Sequence, residues 1–556
     1  MTDQGDSQED GVGLSRRQVL QAGTAAAAGV VIGPRVTSAS PSEDRYIVDM
    51  STTTMGEMGD VEVVYDFRDY IEYVVVEGTE SELPTSATYA ADLDIEIDVP
   101  QQEAMDMDAR DAEEPFYDLQ WDKQEQDIEK VHEDATGSGT RIGIVDDGVL
   151  GAGNREIVAG LEGHPDLPNV RADLSANFTD DGEGPGPLND DHGTHCAGTA
   201  AAAANGTGVV GMAPDAEIVD LRVFSGQGAS FADITAAIIV GAVPEGVPVN
   251  VGTADEPEVY TGAGCDVLNL SLGTGPLPPT EGVLELTASQ SAVAQFALDN
   301  GTLPVASAGN ESTNLDDSPE GFDESFINLP SEADGFMSIG ATGPIGFGWP
   351  AEDDSEEVAG IPFESPVDTE LPTQEPAFYT NYGAEGVDVT AGGGNADIGA
   401  IGGPNYFIDL VFSTGIRNLD DQEPEDTVLD TYIPGYVFKA GTSFSAPNVA
   451  GFAALLFGLD PEATPEEVRA TIEDTARSLP VGKAGETTAP GADVNVATDG
   501  TFDGDQPSNP GSAPGRFDSG TYRGEGHIDI PAAVERFASG EDGNGNAGGN
   551  GNGRGN

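Results

Sequence analysis

Three widely separated stretches carry side chains able to do nucleophilic chemistry. Arg141-Ile142-Gly143-Ile144-Val145 is an apolar strand pattern that ends at Asp146-Asp147-Gly148. Asp190-Asp191-His192-Gly193-Thr194-His195-Cys196 places two of the chain's five histidines three residues apart, ahead of a run of small residues. Gly441-Thr442-Ser443-Phe444-Ser445-Ala446-Pro447 leads into Asn448 and an apolar run to Leu459. A helix with no polar face is buried on all sides, and Pro447 falls in its first turn, where a missing N–H is tolerated. Ser443 then stands at the N-terminus of a buried helix, where unpaired N–H groups favour developing negative charge. Taken alone, it reads equally as an N-cap. Together, an Asp, a His and a Ser beyond strand ends or at helix starts are the set that acyl transfer needs. The serine attacks, the histidine takes its proton, and the aspartate orients the imidazole. The order Asp…His…Ser is one of those found among convergent proteases and differs from the Ser…Asp…His order of the α/β-hydrolases, so an esterase of that fold is disfavoured. The histidine pair has metal-ligand spacing, but no Glu-x-x-His or cysteine cluster completes a zinc site.

These groups need a framework. The 556 residues include 100 acidic and 21 basic side chains, a net charge of −79. Only four of the basic residues are lysines. Binding of nucleic acid through a basic patch is excluded. The acid is spread along the chain and 38% of residues are hydrophobic, so the expectation is a folded protein whose carboxylate-covered surface needs strong salt to screen its self-repulsion. Cys196 and Cys265 are the only cysteines. They form no disulfide framework and read as small buried hydrophobes, although one bridge is open to them.

Ser15-Arg16-Arg17-Gln18-Val19-Leu20, followed by an Ala/Gly/Val run to about Ile32, reads as a twin-arginine export signal ending near Ala39. The run is too short for a stable membrane anchor. The organisation expected is signal 1–39, a small domain and linker 40–114, a large domain 115–540, and a Gly/Asn-rich disordered tail 541–556. The small domain has strands near 45–50, 61–65, 70–76 and 93–99. The linker 101–114 is featureless and a natural place for cleavage. In the large domain, strands at 141–145, 217–224, 265–273 and 303–309 alternate with helices at Phe231–Ala242 and Gly282–Asn300, predicting a parallel sheet covered on both faces. Residues 342–377 and 395–435 are acid-, Gly- and Pro-rich and read as surface insertions. A strand and turn at 387–393 lie between them. Helices are expected from Thr464 to about Ser478 and after His527-Ile528-Asp529-Ile530.

The three stretches, in this order, resemble the signatures of the subtilisin-like serine proteases. His164-Pro165-Asp166-Leu167, Asp266 to Gly273 and Ala308-Gly309-Asn310-Glu311 resemble three more, and the likeness spans about residues 115–540. It implies a three-layer α/β fold with a mostly parallel central sheet, preceded by a small α+β propeptide domain that inhibits the enzyme and aids its folding. It implies a secreted serine endopeptidase, expected as a monomer, that takes protein or peptide substrates. By resemblance, Asp146 is the orienting acid, His192 the base, Ser443 the nucleophile, and His195 a packing partner. Asn310 and the backbone N–H of Ser443 form the oxyanion site, and Ser271, Leu272, Gly273 and Gly309 bind substrate. It also implies a structural calcium loop built on Asp166, Asn205 and the carbonyls of Ala203, Thr207 and Val209, with Asp118 as a further donor. Three positions depart from the pattern. Asp147 stands where Ser or Thr is usual, as in the kexin branch, and could favour a basic residue beside the cleaved one. Phe444 and Asn448 replace Met and His on the buried helix and read as packing variants. A catalytically silent binding protein on the same fold is the competing reading, and the intact Asp, His, Ser and Asn set argues against it.

Overall fold

In the β-strand pattern of residues 141–146, neighbouring side chains serve opposite cores, and this sets the layers. Ile142 and Ile144 face one hydrophobic core, while Val145 and the bare Gly143 face the other. A Cβ at Gly143 would lie 2.6 Å from the Leu268 side chain, so the second core approaches the sheet backbone directly at this point. The computed structural model describes residues 35–98, 107–108, 115–153, 163–188, 190–226, 228–344, 357–358, 361–362, 374–395, 409–418, 432–477 and 524–539.

The small N-terminal domain contributes strands β1 (Arg35–Asp49), β2 (Glu62–Asp66), β3 (Tyr73–Glu77) and β4 (Thr88–Asp98). The large domain contributes β5 (Arg141–Asp146), β6 (Glu217–Arg222), β7 (Gly228–Ser230), β8 (Val267–Leu270), β9 (Leu303–Ser307), β10 (Met337–Gly343), β11 (Val389–Gly392), β12 (Val411–Asn418) and β13 (Tyr432–Lys439). Its principal helices are α1 (His192–Ala201), α2 (Phe231–Ala242), α3 (Glu281–Asp299), α4 (Thr442–Leu459), α5 (Pro465–Thr475) and α6 (Ile530–Ser539). The central sheet runs β11-β10-β9-β8-β5-β6, all parallel, with Gly526–His527 and Ala176–Asn177 at its two ends. Glu375–Pro376 adds to β10 antiparallel. The fold is therefore the three-layer, mostly parallel α/β arrangement. One core holds α1, α4, α5 and α6, and the other holds α2 and α3. The chain builds outward from β5 to β6 and then resumes on its other side at β8, so the sheet reverses at the carboxyl end of β5. Crevices form at such reversals, and Asp146 ends that strand.

Start signals account for the helix boundaries. Ser230 accepts the Asp233 N–H at 3.1 Å to cap α2. Thr464 and Glu467 form a capping box, with Pro465 at the first position of α5. Helix α4 is long and apolar enough to cross a membrane, yet 89% of it is buried. It is the core helix, and Gly451 lets it approach α1 so closely that a Cβ would stand 2.6 Å from the Ala200 carbonyl oxygen.

Two expectations need correction. Residues 411–418 and 432–435 are not a surface insertion, because they belong to a long antiparallel hairpin, β12–β13. Leu410, Val411, Phe412 and Tyr436 are buried in the core, Ile433 is buried as well, and β12 packs along α1. Their apolar residues were masked by the acidic segment between them. Residues 374–377, at the end of the first supposed insertion, likewise join the sheet, with Ala377 fully buried. The linker is described only at Met107–Asp108, which pairs with Tyr436 and Gly435 as a third strand of the hairpin sheet. Residues 1–34 of the expected signal and the tail beyond 539 lie outside the described residues.

The small domain forms an antiparallel sheet in the order β2-β3-β1-β4, and β4 continues it onto the large domain by pairing with β7 (Ile95 opposite Ala229). The Asp66 N–H donates to the Val251 carbonyl at 2.8 Å, and the Tyr70 hydroxyl accepts the Asn250 N–H at 3.0 Å. The two domains thus share one sheet. At the seam, Asp92 accepts the Ala232 N–H at 3.2 Å, at the first turn of α2. Arg45 lies 3.8 Å from Asp92 and 3.9 Å from Asp233, and the Tyr65 hydroxyl donates to Asp233 at 2.8 Å.

Candidate active site

Asp146 is the last residue of β5, His192 the first of α1, and Ser443 the second of α4. All three are buried at the sheet reversal. His192 Nδ1 stands 2.7 Å from Asp146 Oδ1, the contact that fixes the tautomer leaving Nε2 without a proton. Nε2 is buried and has no hydrogen-bond partner. The Ser443 hydroxyl points to the Ser271 carbonyl at 3.4 Å. The Phe444 ring packs against both histidine rings, 5.3 Å from His192 and 4.4 Å from His195. Phe444 is thus the packing residue expected, and it closes one side of the imidazole. His195 Nε2 lies 3.2 Å from the carbonyls of Val411 and Val437, which ties it to the hairpin rather than to chemistry.

A shallow crevice is lined by Ser271, Leu272, Gly273, Gly309, Asn310 and Ser443, among others. It gathers the expected oxyanion residues and four of the five expected substrate-binding residues, while Asp147 is not among its lining. The Asn310 side-chain oxygen accepts from the N–H and the hydroxyl of Thr442, each at 2.9 Å. These two contacts fix the amide with its oxygen toward Thr442, so Nδ2 is the donor end of the side chain. Ser443 lies in the first turn of α4, where backbone N–H groups have no carbonyl partner within the helix. Gly309 has φ +96°, and a Cβ there would stand 2.4 Å from Asn381 Nδ2. Ser271 has a second role, since its hydroxyl donates to the Ser443 carbonyl at 2.7 Å.

Three groups escaped the sequence reading. Asn381 donates to the Ala308 carbonyl and to Glu311, and accepts from the N–H groups of Glu311 and Thr313. It holds the Asn310 loop in shape from 70 residues away. Lys123 is fully buried, with Nζ 2.7 Å from Asp122 and 2.6 Å from Asn448 Oδ1. Asn448 is therefore no packing variant but the hub of a buried polar network that also reaches the Gly392 carbonyl at 2.8 Å. Lys439 reaches Asp191, just ahead of α1. No local signal marks these residues beyond the scarcity of lysine.

Asp147 is buried, with Oδ1 accepting the Gly193 N–H at 2.7 Å and Oδ2 without a hydrogen-bond partner. Burial and the neighbouring carboxyls of Asp146 and Asp190 push it well above the usual carboxylate range. Lys439 supplies a nearby positive charge that only partly offsets this. Cys196 and Cys265 are free and buried, as expected.

In the calcium loop, Asp166 is fully buried. It accepts from Asn205 Nδ2 at 2.9 Å, the Val209 N–H at 3.0 Å and the Tyr436 hydroxyl at 2.8 Å. Among the described residues no Lys or Arg pairs with it. Asn205 Oδ1 accepts from the Thr207 N–H and hydroxyl at 2.9 and 3.0 Å, so the oxygen chemistry suits a hard cation, but a bound ion would have to replace these hydrogen-bond donors. Asp118 lies in a short 3₁₀ turn, Tyr117–Leu119.

The chain has relatives among known proteins. Residues 137–504 match the profile of the subtilase family. An extracellular protease of Xanthomonas campestris is 28% identical over 374 residues, 64% of this chain and 50% of the relative, so the chain spans about half the length of that protein. Subtilisin BL of Lederbergia lenta is 26% identical over 350 residues, 62% of this chain and 86% of the relative. The solved structure of the epidermin leader peptide processing serine protease of Staphylococcus aureus covers 89% of this chain and 98% of its own, with a TM-score of 0.55 and 16% identity. At that identity it supports the fold alone.

Proposed function

Because this chain belongs to the subtilase family, we propose that it is a secreted serine endopeptidase that cleaves peptide bonds through an acyl-enzyme on Ser443. The observation that carries the reading is the 2.7 Å contact between His192 and Asp146, beside a crevice lined by both Ser443 and Asn310. A peptide strand lies along Ser271–Gly273, with its scissile carbonyl over Ser443. The Ser443 hydroxyl turns from the Ser271 carbonyl to His192, and its oxygen bonds to the carbonyl carbon as its proton passes to Nε2. Asp146 stabilises the resulting imidazolium. The Asn310 amide and the Ser443 N–H receive the oxyanion. His192 then gives the proton to the leaving amine, the C–N bond breaks, and water repeats the sequence to free the acid. Asp147 lies beside this site with an unpartnered oxygen and supplies a preference for a basic residue next to the cleaved one.

The 40–114 segment acts as the intramolecular inhibitor and folding aid, docked through the β4–β7 pairing. Residues 1–39 direct twin-arginine export, and the net charge of −79 adapts the chain to strong salt. Asp166 and Asn205, with the carbonyls of Ala203, Thr207 and Val209, hold a calcium ion that stiffens the loop after α1.

The test follows the mass of the precursor and of its Ser443→Ala form in molar salt. The wild type is expected to lose about its first 100–115 residues while the Ala form stays whole. If both stay whole and neither cleaves casein, the catalytic reading fails. Activity that persists undiminished in dilute buffer removes the salt adaptation.

A further inference from the structure

Four carboxyl groups surround the first turn of α1. Asp146 and Asp147 come from the end of β5, and Asp190 and Asp191 directly precede His192. A lysine from another part of the chain is buried among them. Lys439, the last residue of β13, is 4% exposed. Its Nζ contacts Asp191 Oδ1 and stands 3.6 Å from Asp190. Asp191 is a joint between hairpin and helix. Its other carboxylate oxygen accepts the Ile416 N–H of β12 at 3.0 Å, and its backbone carbonyl accepts the His195 N–H of α1 at 2.8 Å. The same hairpin grips the helix again, through the Thr414 hydroxyl on the Thr194 carbonyl at 2.7 Å and the Ser413 hydroxyl on the His195 carbonyl at 3.2 Å.

We propose that Lys439 is a positioning residue for peptide-bond hydrolysis: by clamping Asp191 to the β12–β13 hairpin, it holds the first turn of α1 and keeps His192 aimed at Ser443. The inference rests on the serine endopeptidase reading of the site. Lys439 touches no substrate and acts through Asp191. Losing a buried cation leaves its carboxylate partners facing each other without compensation. Asp190 and Asp191 then repel, the turn that carries His192 shifts, and small displacements of a catalytic base are costly. Asp191 is held below the usual carboxylate range, against the effect of its burial, by Lys439, in keeping with a permanently charged pair.

The experiment compares wild type, Lys439→Met, Lys439→Arg and Asp191→Asn, all made as full-length precursors in molar salt. Each is measured for kcat and KM on a peptide substrate, the pH profile of kcat/KM, and Tm. Lys439→Met is expected to lose roughly ten- to a hundredfold in kcat with KM nearly unchanged, and Lys439→Arg to recover most of that loss. The titratable and charged groups around the first turn of α1 are Asp146, Asp147, Asp190, Asp191, His195, Cys196 and Lys439. Removing the cation among them moves the acid limb of the profile to higher pH. Asp191→Asn removes a negative charge instead, so it lowers kcat and moves that limb the opposite way. This variant carries the test if Lys439→Met does not fold. The clamp is overturned if kcat and the profile are unmoved, or if Lys439→Arg is as damaged as Lys439→Met and the losses only track Tm. A wild type that cleaves nothing overturns the peptidase reading and the clamp together, whereas an active wild type with an equally active Asp191→Asn overturns the clamp alone.

Discussion

The seam between the small and large domains should make docking of the N-terminal segment proton-linked. In the docked state Asp92 is fully buried, and burial raises its pKa to about 7 against the pull of Arg45. Asp233 is raised by burial to about 6. The groups facing them are Arg45 on β1, Tyr65 on β2, Asp94 on β4 and the Ala232 N–H of α2. Once the segment leaves, both carboxyls return to water, where an aspartate titrates near about 3.9. The sign follows from proton counting. The docked complex holds protons that the separated parts have lost, so docking is strongest below about pH 4 and weakens as pH rises through the docked values. Each titrating group raises the dissociation constant up to about tenfold per pH unit. Between pH 5 and 7 Asp92 contributes about 100-fold, and Asp233 about tenfold more between 5 and 6. The sum is roughly 4 kcal/mol, levelling off above pH 7. The assay takes the self-cleaved complex in molar salt, shifts it to buffers from pH 5 to 8.5, and follows the appearance of peptidase activity and of the free segment. Release should be slight at pH 5 and extensive at pH 8. Asp92→Asn, which keeps the acceptor for the Ala232 N–H without a titrating charge, should flatten most of the slope. Equal release at pH 5 and 8, or an unchanged slope in Asp92→Asn, refutes the reasoning.

Three further outcomes are expected. Asn310→Ala should lower kcat by about 10²–10³ with little change in KM, because the amide meets charge that exists only in the transition state; a loss confined to KM would place Asn310 in substrate binding instead. Chelation with EGTA in molar salt should lower Tm, and Asp166→Asn should show the lower Tm without any further effect of EGTA; equal Tm with and without chelator removes the calcium loop. Preference for a basic residue beside the cleaved one should strengthen as pH rises, because burial and the neighbouring carboxyls hold the Asp147 proton above the usual carboxylate range, and Asp147→Ser should abolish that change in cleavage profiles; a pH-independent profile in the wild type counts against the role.

Local pattern was enough for the framework. Helix α2 begins and ends where its apolar run does, at Phe231 and Ala242, and Asp146 closes β5 as its strand pattern implies. Those features depend on near neighbours and on burial that the residue types themselves announce. What escaped depends on partners chosen over long distances. Asn448 on a buried helix has no assignable role until Lys123, 325 residues earlier, is placed beside it. Strands β12 and β13 look like loop because the residues between them are acidic and irregular, although Val411–Asn418 and Tyr432–Lys439 pair over eight residues. The site was legible as a set of chemical groups, while the supports that orient those groups were not.

The placement of the lysines has a consequence for anyone handling the protein. Of four lysine side chains, Lys123 and Lys439 are buried, one against α4 and the other at the start of α1, while the side chain of Lys130 is 76% exposed. Amine-reactive dyes, aldehyde crosslinkers and succinimide resins will therefore find few handles, and neither interior lysine is reachable while the fold is intact. Carbodiimide coupling through carboxylates, of which there are 100 side chains, is the practical route to a support. Labelling of Lys123 or Lys439 would then report loss of the native structure, read directly by mass spectrometry.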